Sequence, residues 1–251
     1  MCLALIALDA HPRLALVIAA NRDEFHARAA APAHWWGDGK LAGLDRVGGG
    51  SWFGVDAIGR WALITNYREG LPRDPAAPSR GVLVSRALAD PASALECAAA
   101  IARDGSRYHG YSLLVGKLAR AAYTSNRASG ALALGAGIVG LSNHLLETPW
   151  PKVVRCKARM IAWTRSGSDA LEPLFELLAD RTQAEPGALP STGVSADRER
   201  RMSSAFIVDE VYGTRCSTVL TMSREGEARF IERSFDRHGV ATSEARFEFR
   251  T

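Results

Sequence analysis

The second residue of the chain is a cysteine, directly after the initiator methionine. Its side chain is small, so removal of Met1 is expected, and removal leaves a thiol and a free α-amine on one residue. An unperturbed α-amine titrates at about 7.7 to 8.0 and a thiol at about 8.5, so near neutral pH the amine takes the thiol proton at little cost. Nucleophile and base then need no histidine. If Met1 stays, the Cys2 nitrogen is an amide without useful basicity, and Cys2 reads as a small buried core residue.

The second concentration of chemistry is "LALVIAANRDEF", where an apolar run breaks without a turn residue into Asn21, Arg22, Asp23 and Glu24. Strand alternation sets Asn21 and Asp23 on one face and Arg22 and Glu24 on the other. The expectation is that Asn21 and Asp23 face Cys2, while Arg22 and Glu24 lock neighbouring chain or reach a ligand anion. Other chemistries fit less well. "GGSWF" lacks the final glycine of G-x-S-x-G. Cys2, Cys97, Cys156 and Cys216 form no C-x-x-C pair, and the six histidines show no H-x-x-x-H spacing, so no metal site is expected.

These residues need strands to hold them. "CLALIALD" and "LALVIAAN" read as a hairpin of strands buried on both faces. "APAHWWGDGK" reads as a loop, in which Trp35 and Trp36 either pack beneath it or form a ligand-facing aromatic wall. The triple glycine at 48–50 precedes a second hairpin, "SWFGVDAIGRWALITN", and implies close approach to another backbone. Two helices follow in "RGVLVSRALA" and "DPASALECAAAIARD", the second with Asp90 as cap and Pro91 in its first turn. After three short strands, "TPWPKVVRCKARMIAWTRSG" reads as a helix from about Pro151 to Gly167, and 181–193 as a loop. The final strands are "SSAFIVDEVYG", "STVLTMS", "RFIERSF" and "ARFEFR". Strands in the outer thirds with helices between them give one α+β domain over residues 1–251. A Rossmann reading fails because "GGGSWFG" joins strands and lacks G-x-G-x-x-G before a helix.

The chain has 251 residues, of which 47% are hydrophobic and 23% charged, enough to bury a full core. The net charge of +4 is spread along it. Its densest basic run, "DRERR" at 197–201, reads as a solvated helix face, and no basic stripe with interleaved aromatics suggests nucleic acid. No apolar run reaches the roughly 18 residues of a transmembrane helix, no signal peptide is visible, and unpaired cysteines fit a cytoplasmic location.

Six segments in order, "MCLALIA", "LVIAANRDEF", "GGGSWFG", "ALITNYRE", "GLSNHLLETPWPKV" and "VYGTRCSTV", resemble the NRDE family, which includes the Transport and Golgi organisation protein 2 homologues. That family resembles in turn the N-terminal nucleophile hydrolases of the choloylglycine hydrolase and penicillin V acylase group. The resemblance implies a four-layer αββα sandwich. It also implies Cys2 as the nucleophile, Asn66 as an oxyanion donor, and Asn143 as holder of the amine or the substrate; the hydrolase reading adds Asp23 to orient the amine. Arg215 in "YGTRCST" matches a late arginine at the ligand. The group's Arg-x-x-Asp has no clean match: aligning Arg22 sets Phe25 at the aspartate, and aligning Glu24 sets Asn21 at the arginine. Two functions follow as expectations. One is cysteine-dependent hydrolysis of an amide or thioester, with no cofactor. The other is binding and trafficking of haem or an acyl-coenzyme A or lipid, with Cys2 or His26 as a possible iron contact.

Overall fold

The computed structural model describes residues 2–70 and 74–251. Its first sheet follows from the two apolar runs at the amino end. Strand β1 (Cys2–Leu8) and strand β2 (Leu14–Phe25) form the expected hairpin. β2 pairs on its other side with β11 (Tyr212–Ser223), which continues to β12 (Glu227–Phe235) and β13 (Ala241–Arg250), while β10 (Gly137–Leu141) closes the far edge. The second sheet runs in chain order from β3 (Ala30–Trp35) through β4 (Lys40–Asp45), β5 (Phe53–Asp56), β6 (Arg60–Asn66), β7 (Tyr111–Lys117) and β8 (Arg120–Ser125) to β9 (Ala131–Leu134). Every pairing is antiparallel.

Alternation along β1 and β2 sorts the layers. Ala4, Ile6, Leu8, Leu16 and Ile18 pack inward against Leu41, Phe53, Trp61 and Leu114 of the other sheet. Leu3, Leu5, Ala7, Val17 and Ala19 face outward against helices α3 (Pro151–Ser166) and α4 (Glu172–Leu178), meeting Val153, Met160 and Leu174. Helices α1 (Gly81–Ala89) and α2 (Ala94–Arg103) cover the outer face of the second sheet, their Leu83, Val84 and Ile101 against Ala62, Leu113 and Val115. The result is an αββα sandwich. A strand buried on both faces has no polar side to show, which is why these runs read as continuous hydrophobic stretches.

Local signals explain the helix ends, with one correction. α3 starts with Pro151 in its first turn and stops at Gly167, whose φ of 66° suits a left-handed cap. α2 is capped by Ser93 and not Asp90: Ser93 accepts from the Glu96 amide while Glu96 reaches back, a capping box, and Asp90 instead closes α1. The triple glycine answers a real crowding, since a Cβ at Gly50 would lie 2.3 Å from the Gly81 carbonyl carbon.

Three further expectations are corrected. The loop "APAHWWGDGK" is mostly the edge hairpin β3 and β4, whose half-exposed positions carry a weak apolar pattern. β9 pairs with β8 and was not anticipated. The segment 203–211 is not a strand; its backbone groups bond to side chains and loops, as in the Ile207 amide with the Thr214 hydroxyl at 2.9 Å, and β11 begins only at Tyr212. α5 (Ala196–Arg201) precedes it.

Candidate active site

Cys2 opens β1 and lies opposite Arg22 of β2, so the two share the face turned toward the second sheet. Beyond Ala4 that face is solid core, but at the strand end it opens into a cleft of about 480 Å³ lined by Cys2, Arg22, Glu24, Trp52, Asn66 and others. An adjoining lobe of about 430 Å³ shares Glu24, Asn66, Arg80 and His109 and adds Asn143, Arg68, Arg198 and Tyr212. The cleft exists because the two sheets part where β1 starts and β6 ends.

The backbone of Cys2 is held at both its polar groups. Its N–H donates to Asn143 Oδ1 at 3.1 Å, and its carbonyl accepts from the Ser142 hydroxyl at 2.8 Å. Asn143 Nδ2 in turn donates to the Asn66 carbonyl at 2.9 Å, tying the ends of β6 and β10 together. The Asn66 side-chain amide lines both lobes and makes no hydrogen bond among the described residues. Next door, Tyr67 and His144 meet at 2.6 Å, and His144 Nδ1 lies 2.9 Å from the Thr148 hydroxyl, which donates to the Leu145 carbonyl. Thr148 therefore accepts from Nδ1–H, leaving Nε2 to accept from Tyr67.

Burial raises the Cys2 thiol above its ordinary range, and the Asp23 carboxylate adds to this, while the Asp23 backbone N–H and the Arg22 guanidinium work against it. The resting group is a thiol and needs a proton acceptor in order to attack. Burial likewise raises Asp23, which is opposed by Lys152, a hydrogen bond from Thr214 and Arg68. By contrast Cys97 and Cys156 are packed into the helix layers, and burial pushes both thiols up to about 11.

The four residues of "NRDE" divide as alternation requires, but with the faces reversed from the expectation: Arg22 shares the face of Cys2, and the Asn21 and Asp23 side chains turn to the other. Asn21 points into the helix layer, where its amide donates to the Leu178 and Ala205 carbonyls at 2.8 Å each and accepts from Ser217. It is a structural residue, not a ligand contact. Asp23 also turns to that side and accepts from the Thr214 hydroxyl at 2.7 Å; it reaches Cys2 through its backbone N–H. Arg22 lies 4.2 Å over the Trp52 ring and 3.4 Å from Asp45, which is also held by Arg28 at 2.7 Å. Glu24 lines both lobes.

Four other expected ligand residues lie elsewhere. Trp35 stacks edge-on against Phe249 and Trp36 donates to the Ala42 carbonyl, so both belong to the β3 edge, and neither lines the cleft. Arg215 is the extra residue of a bulge in β11; its guanidinium donates to the Phe25, His26 and Arg28 carbonyls and fastens the turn after β2. His26 commits Nε2 to the Asp209 carbonyl at 3.0 Å and is also absent from the cleft lining.

The residues missed stood inside the segments already singled out. Trp52 of "GGGSWFG" provides the aromatic wall, and Gly43 makes room for it, since a Cβ there would lie 2.3 Å from the indole. Arg68 of "NYRE" lies 4.5 Å over the Trp150 ring, donates its amide to the Asn143 carbonyl at 2.7 Å, and pairs with Glu199 of α5, both side chains buried. Lys152 of "PWPKV" is 1% exposed and donates to the Met202 carbonyl at 3.1 Å. The Tyr212 hydroxyl donates to the Asp23 carbonyl at 2.8 Å.

An antiparallel αββα sandwich with a cysteine leading its first strand into a cleft between the sheets defines the class: the fold is that of the N-terminal nucleophile hydrolases. Solved structures agree. An N-acylethanolamine-hydrolyzing acid amidase orthologue from Caenorhabditis elegans superposes with a TM-score of 0.54 at 11% identity, over 87% of this chain and 92% of that one. The C2A variant of the conjugated bile acid hydrolase from Clostridium perfringens does so with a TM-score of 0.50 at 7% identity, over 99% and 92%. Within that class the chain belongs to the Transport and Golgi organisation 2 family, whose model matches residues 1–237. The Transport and Golgi organization 2 homologues of Homo sapiens and Mus musculus are 32% and 31% identical to it, each over 93% of both chains.

Proposed function

We propose that the chain is a cysteine-dependent acyl hydrolase acting on an amide or thioester, with Cys2 as nucleophile and its own α-amine as base once Met1 is removed. Met1 lies outside the described residues. The observation that carries the reading is the placement of Cys2 at the head of the cleft, its nitrogen held by Asn143 and the free Asn66 amide beside it. The two proteins of like fold are named as an N-acylethanolamine-hydrolyzing acid amidase and a conjugated bile acid hydrolase.

The chemistry follows from those positions. Asn143 Oδ1 accepts one hydrogen of the amine, leaving the nitrogen lone pair to take the thiol proton. The thiolate attacks the acyl carbon, and the oxyanion that forms accepts from the Asn66 amide, a donor that does not titrate. The amine returns the proton to the departing nitrogen or sulfur, and a thioester to Cys2 remains. Water adds to that thioester with the same amine as base, releasing the acid and restoring the thiol.

In the second reading the cleft binds haem or an acyl carrier without cleaving it. His109 lines the cleft but commits Nε2 to the Asp74 carbonyl at 2.9 Å, so Cys2 is the thiol left to reach iron there. Cys2→Ala separates the two. Under hydrolysis it abolishes turnover of a panel of acyl amides and thioesters while the circular dichroism spectrum is kept. Turnover surviving the substitution, or ligand recovered intact from native protein after long incubation, contradicts hydrolysis.

A further inference from the structure

Past its second lobe the cleft continues into a groove of about 410 Å³, which shares Phe25, Arg198, Met202 and Tyr212 with that lobe. The groove adds Ile207 and Val211, so its lining is mainly apolar. Arg201 and Asp209 also line it, but they pair with each other at 3.1 Å, and Arg201 pairs with Asp197 as well. Met202 and Ile207 are buried and pack with Val194 and Tyr212 as a small cluster apart from the larger cores. Phe25 and Val211 remain 37% and 63% exposed. Contiguous apolar surface left open beside a site is the kind that a ligand covers.

Hydrogen bonds hold the groove open. The Met202 carbonyl accepts from Lys152 at 3.1 Å, the Ile207 amide donates to the Thr214 hydroxyl at 2.9 Å, and the Val211 carbonyl accepts from the His26 amide at 3.0 Å. The Phe25 ring meets Tyr212 edge-on at 5.1 Å. The first lobe has the opposite character, with Arg28, Asp45, Ser51, Ser79 and Arg80 in its wall. Cys2 therefore sits in a cleft that is polar on one side and turns apolar on the other. Phe25 lies three residues past Arg22, the ladder partner of Cys2, and pairs with Tyr212. At roughly 3.3 Å per residue the groove begins about 10 Å from the nucleophile. A short acyl group on Cys2 stops before the groove, and a long one enters it.

We propose that this groove is an acyl-chain subsite: the substrate is a long-chain acyl compound whose tail lies against Met202, Ile207 and Tyr212 while its polar leaving group occupies the first lobe. The placement of the acyl carbon at Cys2 rests on the hydrolase reading.

Binding to the full-length Cys2→Ala chain tests the subsite without turnover. The probes are N-acylglycinamides with butanoyl, octanoyl and dodecanoyl chains, titrated by calorimetry. Each buried methylene is worth about fourfold in affinity, so dodecanoyl should bind roughly a hundredfold tighter than butanoyl. Adding Val211→Asp, a change at an exposed position, should remove roughly tenfold of the dodecanoyl affinity and leave that of butanoyl unchanged. Phe25→Ala, which trims the same wall, should act in the same direction. No gain from butanoyl to dodecanoyl overturns the proposal, as does a gain that neither substitution reduces. So does a chain that sediments as a dimer and becomes monomeric on Val211→Asp, since a second copy would then cover the groove. Length-dependent binding to Cys2→Ala, with no cleavage of the same amides by the native chain, would keep the subsite and remove the hydrolase reading. Cleavage of the butanoyl amide without that length dependence would do the reverse.

Discussion

Asn143 sits at a φ of 50°, in the left-handed region that asparagine tolerates better than most residues. That backbone turn lets one side chain grip the Cys2 nitrogen and the Asn66 carbonyl together. Its amide is committed to holding, while that of Asn66 is open to the cleft, so the two asparagines of the family motifs have different tasks. Asn66→Ala is therefore expected to lower kcat by roughly 10²- to 10³-fold, about 2.7 to 4 kcal/mol of transition-state stabilisation, with little change in KM. Steady-state kinetics on any substrate found for the native chain checks this, and a loss confined to KM would assign Asn66 to binding instead. Side chains in the short motifs were legible because their types suit the chemistry. Arg215 was misread because its environment, a bulge beside a turn full of free carbonyls, has no signature in "YGTRCST".

Among the elements, α5 contributes most beyond its six residues. Three of the residues in "DRERR" are solvated arginines, as the charge pattern implies, but Glu199 is 2% exposed and pairs with Arg68, 131 positions away. It also accepts from the Thr192 amide at 3.1 Å, so one carboxylate pins the loop before α5 and the arginine beside Asn143. Glu199→Ala removes the carboxylate paired with a buried guanidinium and should cost about 3 to 5 kcal/mol. Urea unfolding of the variant against the wild type measures it, and a loss below about 1 kcal/mol would mean that the arginine finds water when α5 loosens. Helix and strand types were readable where periodicity was strong. Edge strands such as β3 and β9, and the coil at 203–211, were not, since partial exposure or side-chain bonding replaces the regular pattern there.

At the scale of the whole molecule, the sandwich was legible from the order of strands and helices and from the doubly buried run of β1 and β2. The faces of "NRDE" were also separable by alternation, but which face carries Cys2 depends on register. Register is set by the turn at 9–13 and by the packing of Leu3, Leu5 and Ala7 against α3. A one-residue slip exchanges the faces, so the pairing of Cys2 with Arg22 required the structure. The central claim, that the head of β1 is a free cysteine able to form an acyl bond, is tested most directly by intact mass of native protein before and after exposure to a thiol-reactive acyl probe. The account predicts a chain lacking Met1 that gains one acyl group at Cys2 and none in Cys2→Ala; a chain that keeps Met1, or leaves Cys2 unmodified, contradicts it.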